Sequence, residues 1–392
     1  MKKIVFTEEF CQPENLFPFT LTRQIQDIRI GILTIREKWE YHLGLESLDK
    51  NEGDYKDLDR SIDLSEAASK NTVFLIHGNI FPTPKLVKLV KKLKPGEFIS
   101  VPGIESVVYC ISAGEVVDFN KIKVRKSIEF RDEIREIRFP WQIFQMNQWA
   151  LEQDFALITR SRRSQKISPT NRLTAPGNIF IEKGAKMEHC IINAEGGPVY
   201  IGRNALVMEG SMIRGPVAIG EGATVKMGTK IYGATTIGPF CVVGGEIKNA
   251  VFFGYSNKAH DGYVGDSVIG EWCNIGAGTS NSNMKNTASS IMIWTPAGPV
   301  DAGTKCGMLL GDYSRIAINT SINTGSVIGV CAHVSGSGLS PKYIPSFSWG
   351  SDGVERYEFE KALMDIQKWK RLKQKELSQH ESTILKYIFD HY

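Results

Sequence analysis

The chain has 392 residues, long enough for two or three domains of ordinary size, and its 42% hydrophobic and 23% charged content is that of a globular protein. Lys and Arg number 47 against 43 Asp and Glu, and the formal charge of +4 gives no electrostatic footprint for a nucleic-acid partner. No apolar run reaches the 18 or so residues of a membrane span, and Ile4-Val5-Phe6 is too short for a signal-peptide core, so a cytoplasmic protein with no membrane partner is expected. Seven scattered cysteines without a C-x-x-C pair support neither a disulfide framework nor a cysteine-rich zinc site; they read as small core residues.

The first 160 residues read as an α/β domain. Short apolar strands are predicted at residues 3–6, 72–76, 98–101 and 107–111, with a helical pattern at 84–93 between them. Residues 46–66 carry eight Asp and Glu side chains with almost no fixed spacing and no histidine, an exposed acidic excursion rather than a metal site. At 160–166 the polar, basic run Arg160-Ser161-Arg162-Arg163-Ser164-Gln165-Lys166 has the character of a solvated connector.

Glycine divides the chain there. Only seven of the 37 glycines precede residue 160, whereas 29 lie between Gly177 and Gly350. In the second region Ile201, Val207, Ile213, Ile219, Val225, Ile231, Ile237 and Val243 recur at every sixth position, and the beat returns at Ile269 and Ile275, then at Leu310, Ile316, Ile322, Ile328 and Val334. A period of six fits neither a helix nor a simple strand; it fits hexapeptide units of one short strand and one turn, three to each coil of a β-helix. Glycines such as Gly202, Gly220 and Gly276, each just after an inward aliphatic, are expected to serve the turns. After Pro341 and Pro345, residues Tyr357, Ala362, Leu363, Ile366, Trp369, Leu372 and Leu377 follow a three-and-four spacing that predicts an amphipathic helix, with Ile384, Leu385 and Ile388 continuing it after a break, as a cap on the coil end.

The interruption in the six-residue beat holds the polar chemistry. Lys248 precedes Lys258-Ala259-His260-Asp261-Gly262-Tyr263-Val264-Gly265-Asp266, and Cys273-Asn274-Ile275-Gly276-Ala277-Gly278-Thr279 runs on to Asn283. A cation suits an anionic group, an imidazole can take a proton near neutral pH, and the phenol and amides would line a polar groove. This string resembles the acetyltransferase half of the GlmU-type bifunctional family, the N-acetylglucosamine-1-phosphate uridyltransferase/glucosamine-1-phosphate acetyltransferases, whose pattern runs A-G-H-x-x-Y-x-G-D, then N-I-G-A-G-T and a nearby asparagine. The resemblance implies that His260 is the general base, that Lys248 and Tyr263 hold the sugar phosphate with Lys230 as a second basic residue, that Asn274 and Asn283 bind around the sugar amine, and that Ala277 and Gly278 flank the thioester of acetyl-CoA. Met284 stands where the family has a tyrosine.

The N-terminal string Asn15-Leu16-Phe17-Pro18-Phe19-Thr20-Leu21-Thr22-Arg23, running on to Arg29 and Trp39, is similar to the stretch after the glycine loop of sugar-1-phosphate nucleotidyltransferases. By that resemblance Arg23, Arg29 and Asn79 are candidate nucleotide or phosphate contacts. The family's glycine-rich cradle is missing, since no glycine precedes Gly31; its usual lysine is replaced around Ile25; and its metal-binding G-D reads Gly78-Asn79. No metal ligands are assigned, and Mg2+ is expected only if this domain is active.

The expected architecture is an α/β nucleotidyltransferase-like domain with linker (1–165), a left-handed parallel β-helix of hexapeptide repeats (166–350) and a C-terminal helix (351–392). The leading expectation is acetyl-CoA-dependent N-acetylation of an amino-sugar 1-phosphate by a homotrimer, coupled to transfer from UTP or dTTP if the first domain is active. Two other readings stay open: a sugar-1-phosphate nucleotidyltransferase whose β-helix is an assembly platform, and a non-catalytic sugar-nucleotide-binding scaffold.

Overall fold

The computed structural model describes residues 2–8, 11–48, 72–102, 104–112, 125–350 and 352–392. Apart from Glu46, the acidic residues of the 46–66 excursion lie outside them. The chain divides into two units: Met1–Pro13, Gln24–Ile28 and Leu33–Arg138 form the first, and Glu14–Arg23, Arg29–Ile32 and Phe139–Tyr392 the second.

The first unit is built on a five-stranded mixed sheet of β1 (Lys2–Thr7), β2 (Thr72–His77), β3 (Glu97–Val101), β4 (Ile104–Ser112) and β5 (Lys126–Glu129), in the order β1-β2-β4-β3-β5. Each strand predicted from the sequence falls within one of the first four. β1 and β2 run parallel, Lys2 against Thr72 through Thr7 against His77, whereas β4 is antiparallel to both its neighbours. Val73, Phe74, Leu75 and Ile76 are all buried, the continuous apolar run of a central strand. Helix α1 (Ile35–Leu43) starts with a capping box between Thr34 and Glu37 and stops at Gly44, whose φ of 68° is the left-handed conformation that glycine accepts without strain. Its Trp39 indole donates to the Ile80 carbonyl at 2.8 Å, tying the helix to the turn beyond β2. Helix α2 (Pro84–Val90) has Thr83 as N-cap and ends slightly before the predicted boundary.

The second unit is a parallel β-solenoid with three strands per coil, the left-handed β-helix expected of hexapeptides. A nine-stranded face runs from Ile179–Ile181 to Tyr343–Ile344 and a ten-stranded face from Lys186–Met187 to Glu355–Arg356. A six-stranded face runs from Arg172–Thr174 to Tyr263–Gly265. All fifteen aliphatics of the six-residue beat are inward and no more than 2% exposed. The glycines just after the inward aliphatics answer a steric demand: a Cβ at Gly276 would stand 2.5 Å from the backbone nitrogen of Ile318 in the next coil. Without a Cβ at these positions the coils approach closely enough for the inward column to stack.

The apparent interruption between Val243 and Ile269 is not a gap. Ile219 pairs with Ile237 eighteen residues on, but Ile237 pairs with Phe252 fifteen residues on and Ile247 with Val264 seventeen on. The coils are shortened at their corners and continue unbroken. Two inward places are also polar. Lys258 lies beside Val243 in register, and Asn281 holds the Gly265 peptide through both its amide oxygen (2.9 Å) and nitrogen (3.0 Å). The chain leaves the coil after Asn281, through a hairpin pairing Met292–Ile293 with Val300–Asp301, and rejoins it at Met308.

A one-turn helix α3 (Gln142–Gln145) and helix α4 (Asn147–Thr159) also belong to this unit; Asn147 Nδ2 donates to the Ala234 carbonyl at 2.7 Å. The C-terminal pattern forms two helices, α5 (Phe359–Leu372) and α6 (Gln379–His391), the second opened by a capping box of Ser378 and Glu381. They do more than cap the last coil. α5 runs down the ten-stranded face, with Trp369 over Arg315 (4.6 Å), Lys370 over Trp272 (5.1 Å) and, just beyond it, Lys373 donating to Asn257 Oδ1 (3.2 Å). Among the described residues no helix is long and apolar enough to cross a membrane, and all seven cysteines are free thiols.

Candidate active site

His260 stands at the corner where the chain passes from strand Asn257–Lys258 on the ten-stranded face to Tyr263–Gly265 on the six-stranded face. Glycines stack on both sides of this corner. A Cβ at Gly244 would lie 2.4 Å from the Ala259 carbonyl oxygen, and one at Gly262 would lie 2.1 Å from that of Thr279. The corner is thereby held close to its neighbours while the side chain of His260 projects into solvent. Among the described residues nothing hydrogen-bonds its imidazole.

Beside it on the six-stranded face lies a polar cluster. Lys248 pairs in register with Tyr232 on one side and Gly265 on the other, and Glu246 pairs with Lys230 and Tyr263. Asn283 Nδ2 donates to the Tyr263 phenol oxygen (3.1 Å) and to Asp266 Oδ2 (2.5 Å), while Asn249 Nδ2 donates to Asp266 Oδ1 (2.6 Å). Burial, reinforced by the charge of Asp266, raises the Tyr263 pKa, so the phenol keeps its proton and has a hydrogen to give. Tyr232 donates to Glu246 Oε1 at 2.7 Å, and that hydrogen bond first, then burial, pushes its phenol up to about 12. Lys248 is half-buried and Lys230 exposed.

The structure thus brings Lys248, Tyr263 and Asn283 to one face with Lys230 a coil away, and sets His260 on the adjoining corner. Asn274 does not join them. Strand parity places it outward on the ten-stranded face, in register between Asn257 and Arg315, both of which are engaged by α5 and the residue beyond it. Ala277 and Gly278 stack against the His260 corner, the Gly278 N–H donating to the Asp261 carbonyl at 2.8 Å. Sequence reading missed Tyr232, Glu246 and Asn249. A usable signal was there for the last: Asn249 and Asp266 are seventeen residues apart, one coil, and both adopt positive φ (48° and 46°), which Asn and Asp tolerate best among non-glycine residues.

The N-terminal candidates are already engaged. Asn79 is buried after β2; its amide oxygen accepts from the Cys11 thiol (3.3 Å), and its nitrogen donates to Glu136 Oε2 (3.1 Å) and the Ile137 carbonyl (3.3 Å). Burial pushes the Cys11 thiol up to about 12, so it remains a donor. This donor set does not fit Mg2+: the oxygen that would face the ion is turned to a thiol, and among the described residues no three carboxylate, imidazole or thiol groups converge. Arg23 clamps Asp312 with both terminal nitrogens (2.5 and 3.2 Å) and lies 3.8 Å from Glu271. Burial alone would lower its pKa, but these two carboxylates more than reverse that and hold the guanidinium charged. Arg29 donates to the Ile32 carbonyl.

Residues 4–163 match the family model described as sugar nucleotidyl transferase. Over 295 residues the chain is 24% identical to the bifunctional protein GlmU of Methanococcus vannielii, covering 72% of this chain and 61% of that one. It is 32% identical over 212 residues to a bifunctional sugar-1-phosphate nucleotidylyltransferase/acetyltransferase of Sulfurisphaera tokodaii (53% and 46% covered) and 28% identical over 212 residues to GlmU of Methanococcus maripaludis (52% and 43%). The chain spans about half the length of these curated relatives. The resemblance read from the motifs is borne out as kinship at modest identity.

Proposed function

We propose that this protein transfers an acetyl group from acetyl-CoA to the amine of an amino-sugar 1-phosphate of the glucosamine 1-phosphate class. The observation that carries the reading is His260, exposed and unengaged on a tightly stacked corner beside the Lys248, Tyr263 and Asn283 cluster. In this mechanism Lys248, with Lys230 behind it, attracts the phosphate, and Tyr263 and Asn283 orient the sugar. His260 takes a proton from the amine as its nitrogen attacks the thioester carbonyl carbon. The C–N bond forms, the C–S bond breaks as the tetrahedral intermediate collapses, and the departing thiolate takes up a proton to leave as coenzyme A. Ala277 and Gly278 flank the acyl group.

The site is proposed to be completed between copies in a homotrimer. Ile191 and Met212, nearly half exposed and paired in register, leave an apolar stripe on the same face as Lys230 and Tyr263, which a neighbouring copy would cover. For the first unit, the engaged state of Asn79 favours binding of a sugar nucleotide or sugar phosphate over the transfer from UTP or dTTP to a sugar 1-phosphate that would form a sugar nucleotide and release pyrophosphate.

The test is acetyl-CoA consumption by the full chain with a panel of amino-sugar phosphates, with His260→Ala alongside. The wild type should release coenzyme A with glucosamine 1-phosphate or a close relative, and the variant should be about 10²- to 10⁴-fold slower with unchanged assembly. No turnover with any acceptor, or near-normal turnover in the variant, refutes the reading. A monomer mass by light scattering alongside full activity refutes the trimer.

A further inference from the structure

Lys258 occupies a place the repeat gives to an aliphatic. Its neighbour in register is Val243, the following coil carries Ile275 there, and its own side chain is fully buried. From inside the coil its ammonium donates to two successive carbonyls of the corner above, those of His260 and Asp261 (2.9 Å for the second). The Asp261 carbonyl also accepts from Gly278 N–H. Among the described residues no carboxylate hydrogen-bonds the amine; burial lowers it to about 8, with only the charge of Asp261 opposing the shift. An apolar side chain would fill this place without that desolvation cost, as Val243 and Ile275 do.

The direction of those carbonyls has a consequence. A trans peptide points its N–H opposite to its C=O. With the His260 and Asp261 carbonyls held by Lys258, the N–H groups of Asp261 and Gly262 point away from its ammonium. Asp261 is exposed and Gly262 half-exposed, and among the described residues no acceptor meets either N–H. Two successive free amides beside a base form a concavity for negative charge. Glycine is needed at 262, where φ is 124° and the next coil leaves no room for a Cβ.

We infer that Lys258 is a positioning residue, which from within the coil fixes the His260 corner and turns the Asp261 and Gly262 amides outward as donors to the oxyanion formed when the amine adds to the thioester carbonyl. This rests on the acyl-transfer reading for its chemistry, but not for its geometry.

The experiment is a crystal structure and steady-state kinetics of the full-length Lys258→Met protein against wild type. The expected result is that the two peptides turn away from the coil interior, kcat falls about 10- to 100-fold, and KM for both substrates stays within about twofold, with a melting temperature close to wild type. A purely structural lysine would instead change the melting temperature and leave kcat alone. Unchanged peptide directions, or peptides that turn with kcat intact, overturn the inference. If the wild type transfers no acetyl group, the acyl-transfer reading fails by itself, and the peptide directions in the variant still decide the role of Lys258. Should Lys258→Met fail to fold, Lys258→Gln, which keeps a donor without the charge, is expected to lose kcat to a smaller extent, and wild-type kcat in that variant would overturn the proposal equally.

Discussion

Tyr263 and Asn283 meet phenol to amide at 3.1 Å, and the same amide nitrogen holds Asp266. Asn283 therefore ties the start of the excursion from the coil to the strand that carries the phenol, and the phenol hydrogen stays available for a ligand. Removing the hydroxyl in Tyr263→Phe should raise KM for the sugar phosphate about tenfold with little change in kcat, since the group binds ground and transition states alike. Asn283→Ala should do more, because it also strips one of the two partners of the buried Asp266. Initial-rate kinetics of both variants check this; a Tyr263→Phe enzyme with wild-type KM removes the phenol from substrate binding.

The six-residue beat made the solenoid legible because every coil places the same three positions inward, and an aliphatic there is visible at any distance. It faded where chemistry begins. Ile247, Phe252 and Val264 are inward too, but corners shortened by one or two residues shift the phase, and Lys258 breaks the pattern in kind as well as in position. The motif around His260 could be read locally, whereas Glu246 and Tyr232 entered the site only through register between coils. Asn274 shows the converse: one coil of sequence separates it from Asn257, yet parity turns it to a different face from Tyr263. Arg23 was a candidate phosphate contact by resemblance, and its carboxylate partner Asp312, 289 residues away, could not be read locally.

That partner makes Asp312 a stability determinant. Its carboxylate accepts from Thr22 Oγ1 (2.6 Å), from both ends of the Arg23 guanidinium and from the Glu271 N–H (2.8 Å), all with Asp312 buried. Asp312→Ala leaves an enclosed cation with only the longer Glu271 contact and should cost about 3 kcal/mol in urea unfolding. Arg23→Met should cost less, since Asp312 keeps two other donors, and the double variant should fall well short of the sum of the singles. Additive losses would show that the pair does not act as a unit.

His77, at the end of β2, gives the first unit an acid sensitivity. Burial lowers its imidazole to about 4. In the unfolded chain the same group takes its proton near 6.5. Between those values the unfolded state binds more protons, so stability rises with pH: the contribution is complete above about 6.5 and is lost as pH falls toward 4. The full span is worth about 3 kcal/mol. His77→Phe should flatten the dependence of melting temperature on pH over that window relative to wild type. Parallel curves for the two proteins would rule His77 out as the source.

Asn79 stands where the nucleotidyltransferase pattern has an aspartate, and the obvious repair, Asn79→Asp, should harm the protein rather than restore a metal site. The wild-type amide nitrogen donates to the Glu136 carboxylate and to the Ile137 carbonyl. An aspartate in the same pose sets an acceptor against both and a second negative charge against Glu136, in a place only 8% exposed. The cost should be about 2 to 4 kcal/mol at neutral pH, and smaller at acidic pH where the new carboxyl can take a proton and donate again. Mg2+ should recover little of it, because Cys11 and the turned oxygen leave the ion without a converging set of hard ligands. Chemical denaturation at pH 7 and pH 5, with and without millimolar Mg2+, reads all three effects, and pyrophosphate release from UTP with a sugar 1-phosphate reads activity. A variant as stable as wild type, stabilised further by Mg2+ and newly able to release pyrophosphate, would show that the site had lost only its charge and not its geometry.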